Sequence, residues 1–594
     1  MLPEIKERAC LVPPQTYRYS SGVLSLSLGQ GTSEIIPEPA TQLSQSLDRL
    51  DISPNDKWMW NVLPQAKPED LPQLVSRVRQ KPSPAVLHIA TPYLGQEQYT
   101  ELSEAVTNLG REEIIRLLDS IPTLDSRVPI MNPTYLQIER AWNKVGRQNR
   151  EQLMPVTEMG NLKLLIPQEL LPDEQARPTV PLKAIKEVYD KELSSRGNVS
   201  SHDVGTSLRD MELDDTVARV TENPVLDAVT QGQTMIGRKF CGTYAIAVPW
   251  NVDWKVDLDR ANYRILGMAG ASGKGLTHEA TTASGFMELA ERVSAIAGAT
   301  ANWPNGYRFI DRLVRARRSE LQSGEAPVVD PNDFAPSSPY QDQEIYWIQG
   351  QLLPPINEGK PQGIWVPAQK AFHFSNLDEP EVVKDTSNGL ASGNTPEEAR
   401  LHALLEIMER DGCYTTFTSP QRLFTLPSDT SDQTGQIIAA YRARGLSPAF
   451  VDLTTDFGVP AYKAYIQLPD GNILSGSGAH LNGRIALNRA ICELGAKCLG
   501  VSGHGVRLVS KDQNVQEREF SDIPNLSSGD VRTDLGLVET VFRLNGHPII
   551  YADLTRTDID IPVVRAMVPG LDCPFTLTRR EVKHFIEDYQ GSSV

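Results

Sequence analysis

Two stretches of this chain place carboxylates inside runs that otherwise read as apolar helix, and no other feature constrains the fold as much. The first runs Ala283-Ser284-Gly285-Phe286-Met287-Glu288-Leu289-Ala290-Glu291-Arg292, and the second Leu404-Leu405-Glu406-Ile407-Met408-Glu409-Arg410. A charge set among Leu, Ile and Met is costly unless something neutralises it. A helix turns about 100° per residue, so Ser284, Glu288 and Glu291 share a sector of about 60°, and Glu398, Glu406 and Glu409 one of about 80°. Each helix thus offers a Glu-x-x-Glu pair on one face. Magnesium takes oxygen ligands and is commonly held by one or two carboxylates plus substrate phosphates. Two such faces opposed make an acidic cage for hard cations and point to a nucleotide–magnesium site. Surface ion pairing is the plain alternative for a single pair. Recurrence in two apolar runs, each closed by Glu-Arg, favours the cage.

Glu398 has two open readings. Thr395-Pro396-Glu397-Glu398 is a capping box with proline at the first helical position. Glu398 either caps alone or also holds a metal-bound water. Other motifs fail. Gly267 to Gly275 invites a phosphate-loop reading, but the glycine spacing is wrong and Gly275 follows Lys274 where Ser or Thr belongs. The histidines form no His-Glu-x-x-His pair, and no Gly-x-Ser-x-Gly elbow is present. His402 falls on the carboxylate face, four residues after Glu398, and reads as a packing or supporting residue rather than a catalyst.

Ser387-Asn388-Gly389-Leu390-Ala391-Ser392-Gly393-Asn394-Thr395 through Glu409-Arg410-Asp411 resembles the signature of the YcaO family. Lys274-Gly275-Leu276-Thr277 followed by Ser284-x-x-x-Glu288-x-x-Glu291-Arg292 resembles that family's first ATP-binding segment. Weaker likenesses are Arg209-Asp210 with Thr216-Val217-Ala218-Arg219, Ala486-Leu487-Asn488-Arg489-Ala490 with Glu493, and the closing Val564-Arg565-Ala566-Met567-Val568-Pro569-Gly570-Leu571. The resemblance covers about residues 205–575. It implies ATP and Mg2+ as cofactors, with Glu288, Glu291, Glu406 and Glu409 as magnesium ligands and Glu398 as a water-mediated one. It further implies Lys274, Arg410 and Arg489 as phosphate contacts, Ser284 and Asn394 as nucleotide contacts, and Arg209 and Thr216 near the nucleotide. Arg565 reads as structural. The implied activity is ATP-dependent activation of a peptide-backbone amide oxygen, and dimerisation is implied too.

Two departures bear on the product. The chain ends Asp588-Tyr589-Gln590-Gly591-Ser592-Ser593-Val594, without the proline-rich tail that azoline-forming relatives often carry, and Ala496 stands where many relatives place glutamine. The six cysteines form no Cys-x-x-Cys pair, which argues against a structural zinc site and fits a reducing cytoplasm.

A chain of 594 residues is expected to hold two or more domains. A polar, turn-rich stretch at 194–204 reads as a linker between an N-terminal region, 1–193, and a catalytic region, 205–594. The N-terminal region reads as helix-rich around Glu97–Leu118 and Tyr135–Leu153, serving either to dock a peptide or partner or as an elaboration of the catalytic part. Strand-like runs at Gly242–Val248, Ile345–Leu353, Ala449–Leu453, Ala461–Leu468 and Pro548–Leu554 alternate with the carboxylate helices and a helix near Arg484–Leu499. That mixture predicts an α+β fold, mostly antiparallel, with the nucleotide between helices. The loop 323–342 reads as a mobile cover. The net charge of −17 argues against a general nucleic-acid binder. The arginines at 308, 312, 315, 317 and 318 read as a solvated helix face in preference to a basic groove. No run is long enough to span a membrane. Three functions stay open: azoline-forming cyclodehydration of a ribosomally made peptide, thioamide formation with a sulfur-donor partner, or a nucleotide-binding scaffold. The first is favoured, with a leader-binding partner as an alternative to self-docking.

Overall fold

The computed structural model describes residues 33–37, 71–90, 93–110, 113–114, 117, 178–195, 211–257, 262–297, 300–301, 313–334, 340–375, 387–416, 422–429, 431–467, 473–498, 515–571 and 579–591. The strands used below, in chain order, are β1 (Ser33–Pro37), β2 (Ile236–Phe240), β3 (Thr243–Asp257), β4 (Asn262–Gly275), β5 (Leu313–Ala316), β6 (Ile345–Leu353), β7 (Gln362–Pro367), β8 (Leu390–Ser392), β9 (Leu423–Thr425), β10 (Ala449–Asp452), β11 (Ala461–Gln467), β12 (Ile473–Ala479), β13 (Gln516–Glu517), β14 (Ile549–Asp553) and β15 (Val563–Met567). The helices used below are α1 (Leu71–Gln80), α2 (Pro84–Ala90), α3 (Thr100–Thr107), α4 (Leu182–Ser195), α5 (Leu213–Thr221), α6 (Pro224–Thr230), α7 (His278–Ser294), α8 (Pro396–Thr415), α9 (Gln433–Ala443), α10 (Gly483–Cys498), α11 (Val531–Leu544) and α12 (Arg579–Gly591).

Three larger sheets result, beside a two-stranded parallel pair of Ile296–Ala297 with Phe374–Ser375. The first runs β1-β4-β3-β2 and the second β8-β15-β14-β6-β5 with β7 on β6, all antiparallel. The third runs β12-β11-β10-β9-β13, antiparallel except where β9 meets β13. This is the expected α+β architecture. The hydrophobic runs that predicted strands coincide with β6, β10, β11 and β14, while β3 extends well beyond Val248 because Trp250, Val252 and Trp254 continue the alternation into the core. Val248, Leu289 and Val293 are completely buried between β3 and α7. Burial of each Leu or Val stabilises the fold by roughly 1.5–3 kcal/mol.

The N-terminal helices α1, α2 and α3 enclose an apolar cluster of their own around Leu74, Val78, Leu87, Leu102 and Val106. Helix was expected over Glu97–Leu118; it occupies a single-turn segment at Glu97–Tyr99 and then α3, and the described residues 113, 114 and 117 are helical as well. The Tyr135–Leu153 expectation lies outside the described residues. The segment leading into α4 packs on the catalytic part. Leu182 is fully buried with Phe457 and Val459, and its N–H donates to the Phe457 carbonyl at 2.8 Å. Asp456 then anchors two distant segments. It accepts from Thr179 Oγ1 at 2.7 Å and pairs with Arg580 of α12, which also forks onto buried Asp411 at the end of α8.

Two local expectations change. Residues 313–316 form β5, and the described arginines there are engaged: Arg315 with Glu344, Arg317 with the Asp342 carbonyl and Arg318 with Asp330. The described part of 323–342 is pinned rather than free. The Val329 N–H donates to the Trp365 carbonyl, the Trp365 N–H donates to the Pro327 carbonyl, and Tyr340 is buried against Trp347. Among the described residues no helix is long and apolar enough to cross a membrane.

Glycines set how closely helix and strand approach. A Cβ on Gly476 of β12 would overlap the Leu494 amide and the Ala490 carbonyl of α10. Gly476→Val is expected to lower the unfolding free energy by about 2–3 kcal/mol. On the open surface of α11, Gly536→Ala meets nothing within 4 Å and is expected to raise it by about 0.5–1 kcal/mol. Urea denaturation of both variants checks the opposite signs.

Candidate functional site

Helix α7 begins where Thr277 Oγ1 accepts the Ala280 N–H, and α8 where Thr395 Oγ1 accepts the Glu398 N–H behind Pro396. The expected capping box is only half formed. Glu398 Oε2 accepts from the Asn394 N–H at 2.9 Å, one residue further back than the box requires. Glu398 is thereby buried, and it fixes the turn that presents Asn394. Asn394 Oδ1 accepts from Thr216 Oγ1 of α5 at 3.2 Å, and its carbonyl from Arg219 at 2.9 Å.

The four glutamates read as metal ligands come together, and each is held by a partner from the chain. Glu288 accepts from Ser272 Oγ at 3.2 Å and pairs with Arg292 at 3.1 Å. Glu291 Oε1 accepts from both the backbone N–H and the Oγ of Ser392, each at 2.9 Å. Glu406 pairs with Arg410 at 3.5 Å. Glu409 accepts from Ser477 Oγ at 2.7 Å and has Arg410 3.6 Å away. Ser272, Ser392 and Ser477 lie on β4, β8 and β12. Sequence reasoning missed all three as supports, since nothing in a serine's local context reports a carboxylate from another element.

Burial and crowding set the electrostatics. Burial pushes Glu291 up to about 8; Arg292 opposes this, while Glu288 and Glu406 add to it. Burial also raises Glu406, with Arg410 opposing and Glu409 adding. Lys274 Nζ sits 2.7 Å from Glu493 Oε2, and Glu493, Glu409 and Glu288 together outweigh burial and keep its charge. The Lys274 N–H reaches Ser284 Oγ at 3.3 Å, so those two predicted residues do meet. Arg489 of α10 donates to the Ala479 carbonyl and to His402 of α8, which places it beside the same helix. Arg209 lies outside the described residues. Arg565, read as structural, is 1 % exposed on β15, yet its charge lowers the pKa of Glu406, so it belongs to the site's electrostatics.

Among the described residues no three Asp, Glu, His or Cys side chains converge as a ready-made metal cage. The carboxylates come instead as two pairs, which is the donor set magnesium uses when phosphate oxygens and water complete its shell. Buried donors also remain without acceptors: Asn394 Nδ2, and Arg292 Nε and Nη1. A buried polar atom left unpaired calls for a partner, and an acceptor-rich phosphate ligand provides one. The residues therefore fit Mg2+ and a nucleotide.

The Glu291 shift makes a prediction for the metal-free protein. With a folded pKa above the unfolded value, the carboxyl stays neutral in the fold while the unfolded chain ionises. Its contribution is fully present below the unfolded pKa and is lost as pH rises toward about 8. Glu291→Gln does not titrate, so its stability relative to wild type is expected to grow from about pH 4.5 to about 8 and then level off. Thermal unfolding of both proteins across that range checks it.

Comparison with known proteins gives the same picture. Residues 272–572 match the family model described as YcaO cyclodehydratase, ATP- and Mg2+-binding. An uncharacterised protein of Methanothermobacter thermautotrophicus is 29 % identical over 332 residues, 51 % of this chain and 81 % of that protein. An uncharacterised protein from the tfuA 3' region of Rhizobium leguminosarum bv. trifolii is 30 % identical over 238 residues, 37 % of this chain; the match spans 53 % of that relative's length. Among solved structures, the YcaO protein of Methanopyrus kandleri bound with AMPPCP and Mg2+ aligns with a TM-score of 0.44 at 20 % identity, covering 62 % of this chain and 92 % of that one. A heterocyclase in complex with substrate and cofactor aligns at 0.47 and 18 % identity, covering 96 % and 74 %. The chain belongs to the YcaO family of ATP- and Mg2+-binding cyclodehydratases, and ATP and Mg2+ are its cofactors.

Proposed function

We propose that this chain activates the oxygen of a backbone amide in a ribosomally made peptide, so that a neighbouring Cys, Ser or Thr side chain closes an azoline ring. The observation that carries the reading is the meeting of two Glu-x-x-Glu faces with Lys274, Arg410 and acceptor-less buried donors, in a chain of this family. Glu288, Glu291, Glu406 and Glu409 hold Mg2+, and Glu398 acts on it through water. Lys274, Arg410 and Arg489 hold phosphate oxygens; Ser284, Asn394, Thr216 and Arg209 complete the nucleotide contacts. ATP, when bound, supplies the phosphoryl group that makes the amide oxygen a good leaving group. The chain's own residues position the reactants and balance charge, the main work of any phosphoryl-transfer enzyme. The nucleophile's bond to the amide carbon forms, the carbon–oxygen bond breaks, and the oxygen leaves with the phosphate. Overall, the peptide loses one water while ATP becomes ADP and phosphate.

Residues 1–193 are read as docking the peptide or a partner, 194–204 as a linker and 205–594 as catalytic, in a homodimer. The apolar cluster enclosed by α1, α2 and α3 gives this region a core of its own. The described cysteines, Cys241, Cys413, Cys492 and Cys498, are all free, which suits a reducing cytoplasm.

Calorimetric titration of magnesium-ATP tests the site. Glu288→Gln and Glu409→Gln are each expected to weaken magnesium-dependent binding by roughly 100-fold while leaving the fold intact. Wild-type affinity in both variants, with normal unfolding, sinks the reading. For the reaction, a Cys-, Ser- or Thr-containing substrate peptide is expected to lose one water mass per ring only when ATP and Mg2+ are present.

A further inference from the structure

His402 sits on α8 one turn after Glu398 and one turn before Glu406, and none of the roles above uses it. Its two ring nitrogens face groups of fixed character. Nδ1 lies 3.3 Å from the carbonyl oxygen of Ser392, and Nε2 lies 3.3 Å from Nη2 of Arg489. A carbonyl oxygen only accepts, and a guanidinium only donates. Nδ1 therefore carries the hydrogen and Nε2 the lone pair. The ring is neutral and held in one tautomer by what lies at its two ends.

Those ends lead to different parts of the site. The residue whose carbonyl receives His402 also gives its backbone N–H and Oγ to Glu291. On the other side, Arg489 has a second anchor in the Ala479 carbonyl, 3.3 Å from Nη1. Held at two points, its guanidinium is ordered before any ligand arrives. The neighbouring His480 supplies no competing charge. Burial pushes its pKa down to about 3, with the charge of Arg489 adding, and its Nδ1 accepts the Asn482 N–H at 2.9 Å.

We infer that His402 is a positioning residue that locks the guanidinium of Arg489 to the Ser392 turn bearing on Glu291, so that the phosphate-side cation and the magnesium-side carboxylate are set together. This deepens the proposed function and rests on its reading of Arg489 and Glu291. A relay of this kind acts as the outer hydrogen-bond partners of metal ligands do, by fixing orientation ahead of binding.

The test is a double-mutant cycle read by calorimetric titration of magnesium-ATP, with thermal unfolding as the fold control. His402→Leu is expected to weaken binding about tenfold, in the range seen when such supporting partners are lost. His402→Gln, whose amide keeps one donor and one acceptor, is expected to return to within about threefold of wild type. In an Arg489→Met background, His402→Leu is expected to cost less than about twofold more, because coupled residues do not add. The cycle is run in parallel with His402→Asn, whose shorter amide still donates to Ser392 but stops short of Arg489 and is expected to bind no better than His402→Leu, so the result does not hang on one variant folding. Additive losses, or a Gln variant no better than Leu, overturn the relay alone. Wild-type binding by Arg489→Met overturns the relay together with the phosphate reading on which it rests.

Discussion

The architecture depends on keeping four carboxylates close together in a half-buried space. Burial raises the pKa of Glu291 and Glu406, and the neighbouring like charges add to the effect. The fold answers each carboxylate individually. Arginines one turn along the same helix serve Glu288 and Glu406, and serines from three strands serve Glu288, Glu291 and Glu409. This leaves the site close to balance without a metal, yet rich in oxygen ligands that a divalent cation can recruit. Glu493 with Glu409 and Glu288 holds the charge on Lys274, and Glu409 with Glu406 that on Arg410, so cations and anions at the site stabilise each other.

Close approach of strand to helix makes that arrangement possible. The glycine-rich run ending at Gly275 lies in β4, not in a phosphate loop. A Cβ on Gly273 would collide with the backbone of α7 at Thr281 and Gly285. Gly478 of β12 comes as close to the Arg489 side chain and the backbone of α10. These contacts bring the strands carrying Ser272 and Ser477 within reach of glutamates that originate on helices. Far from the site, Asp456 and Asp411 share Arg580, which ties α12 to the end of α8 just past Arg410. A buried pair of this kind is strongly destabilising to break on one side only.

Much of this was legible in the chain. Helical spacing put each Glu-x-x-Glu pair on one face, and alternation marked β6, β10, β11 and β14 within a residue or so at their ends. Thr395 and Pro396 announced the start of α8. Where the reading slipped, a tertiary partner had overridden a local signal. Glu398 is drawn past its own cap to the Asn394 N–H, and Arg315 of the arginine-rich run lies in a strand because β6 offered an edge. The 323–342 segment has a loop's composition, but β7 and Trp347 supply partners that hold its described part down.

The sequence by itself determined which residues carry charge, how they repeat along each helix, and hence that a polyanionic, metal-seeking face had to exist. Periodicity is a local property, and side-chain direction along one helix follows from it. Only the tertiary structure decided that α7 and α8 share one site, that serines of β4, β8 and β12 support the carboxylates, that Arg565 lies buried within their field, and that His402 has a single tautomer facing Arg489 and Ser392. Those facts rest on contacts between residues tens to hundreds of positions apart. No local pattern encodes such contacts, because they are fixed by the packing of whole elements.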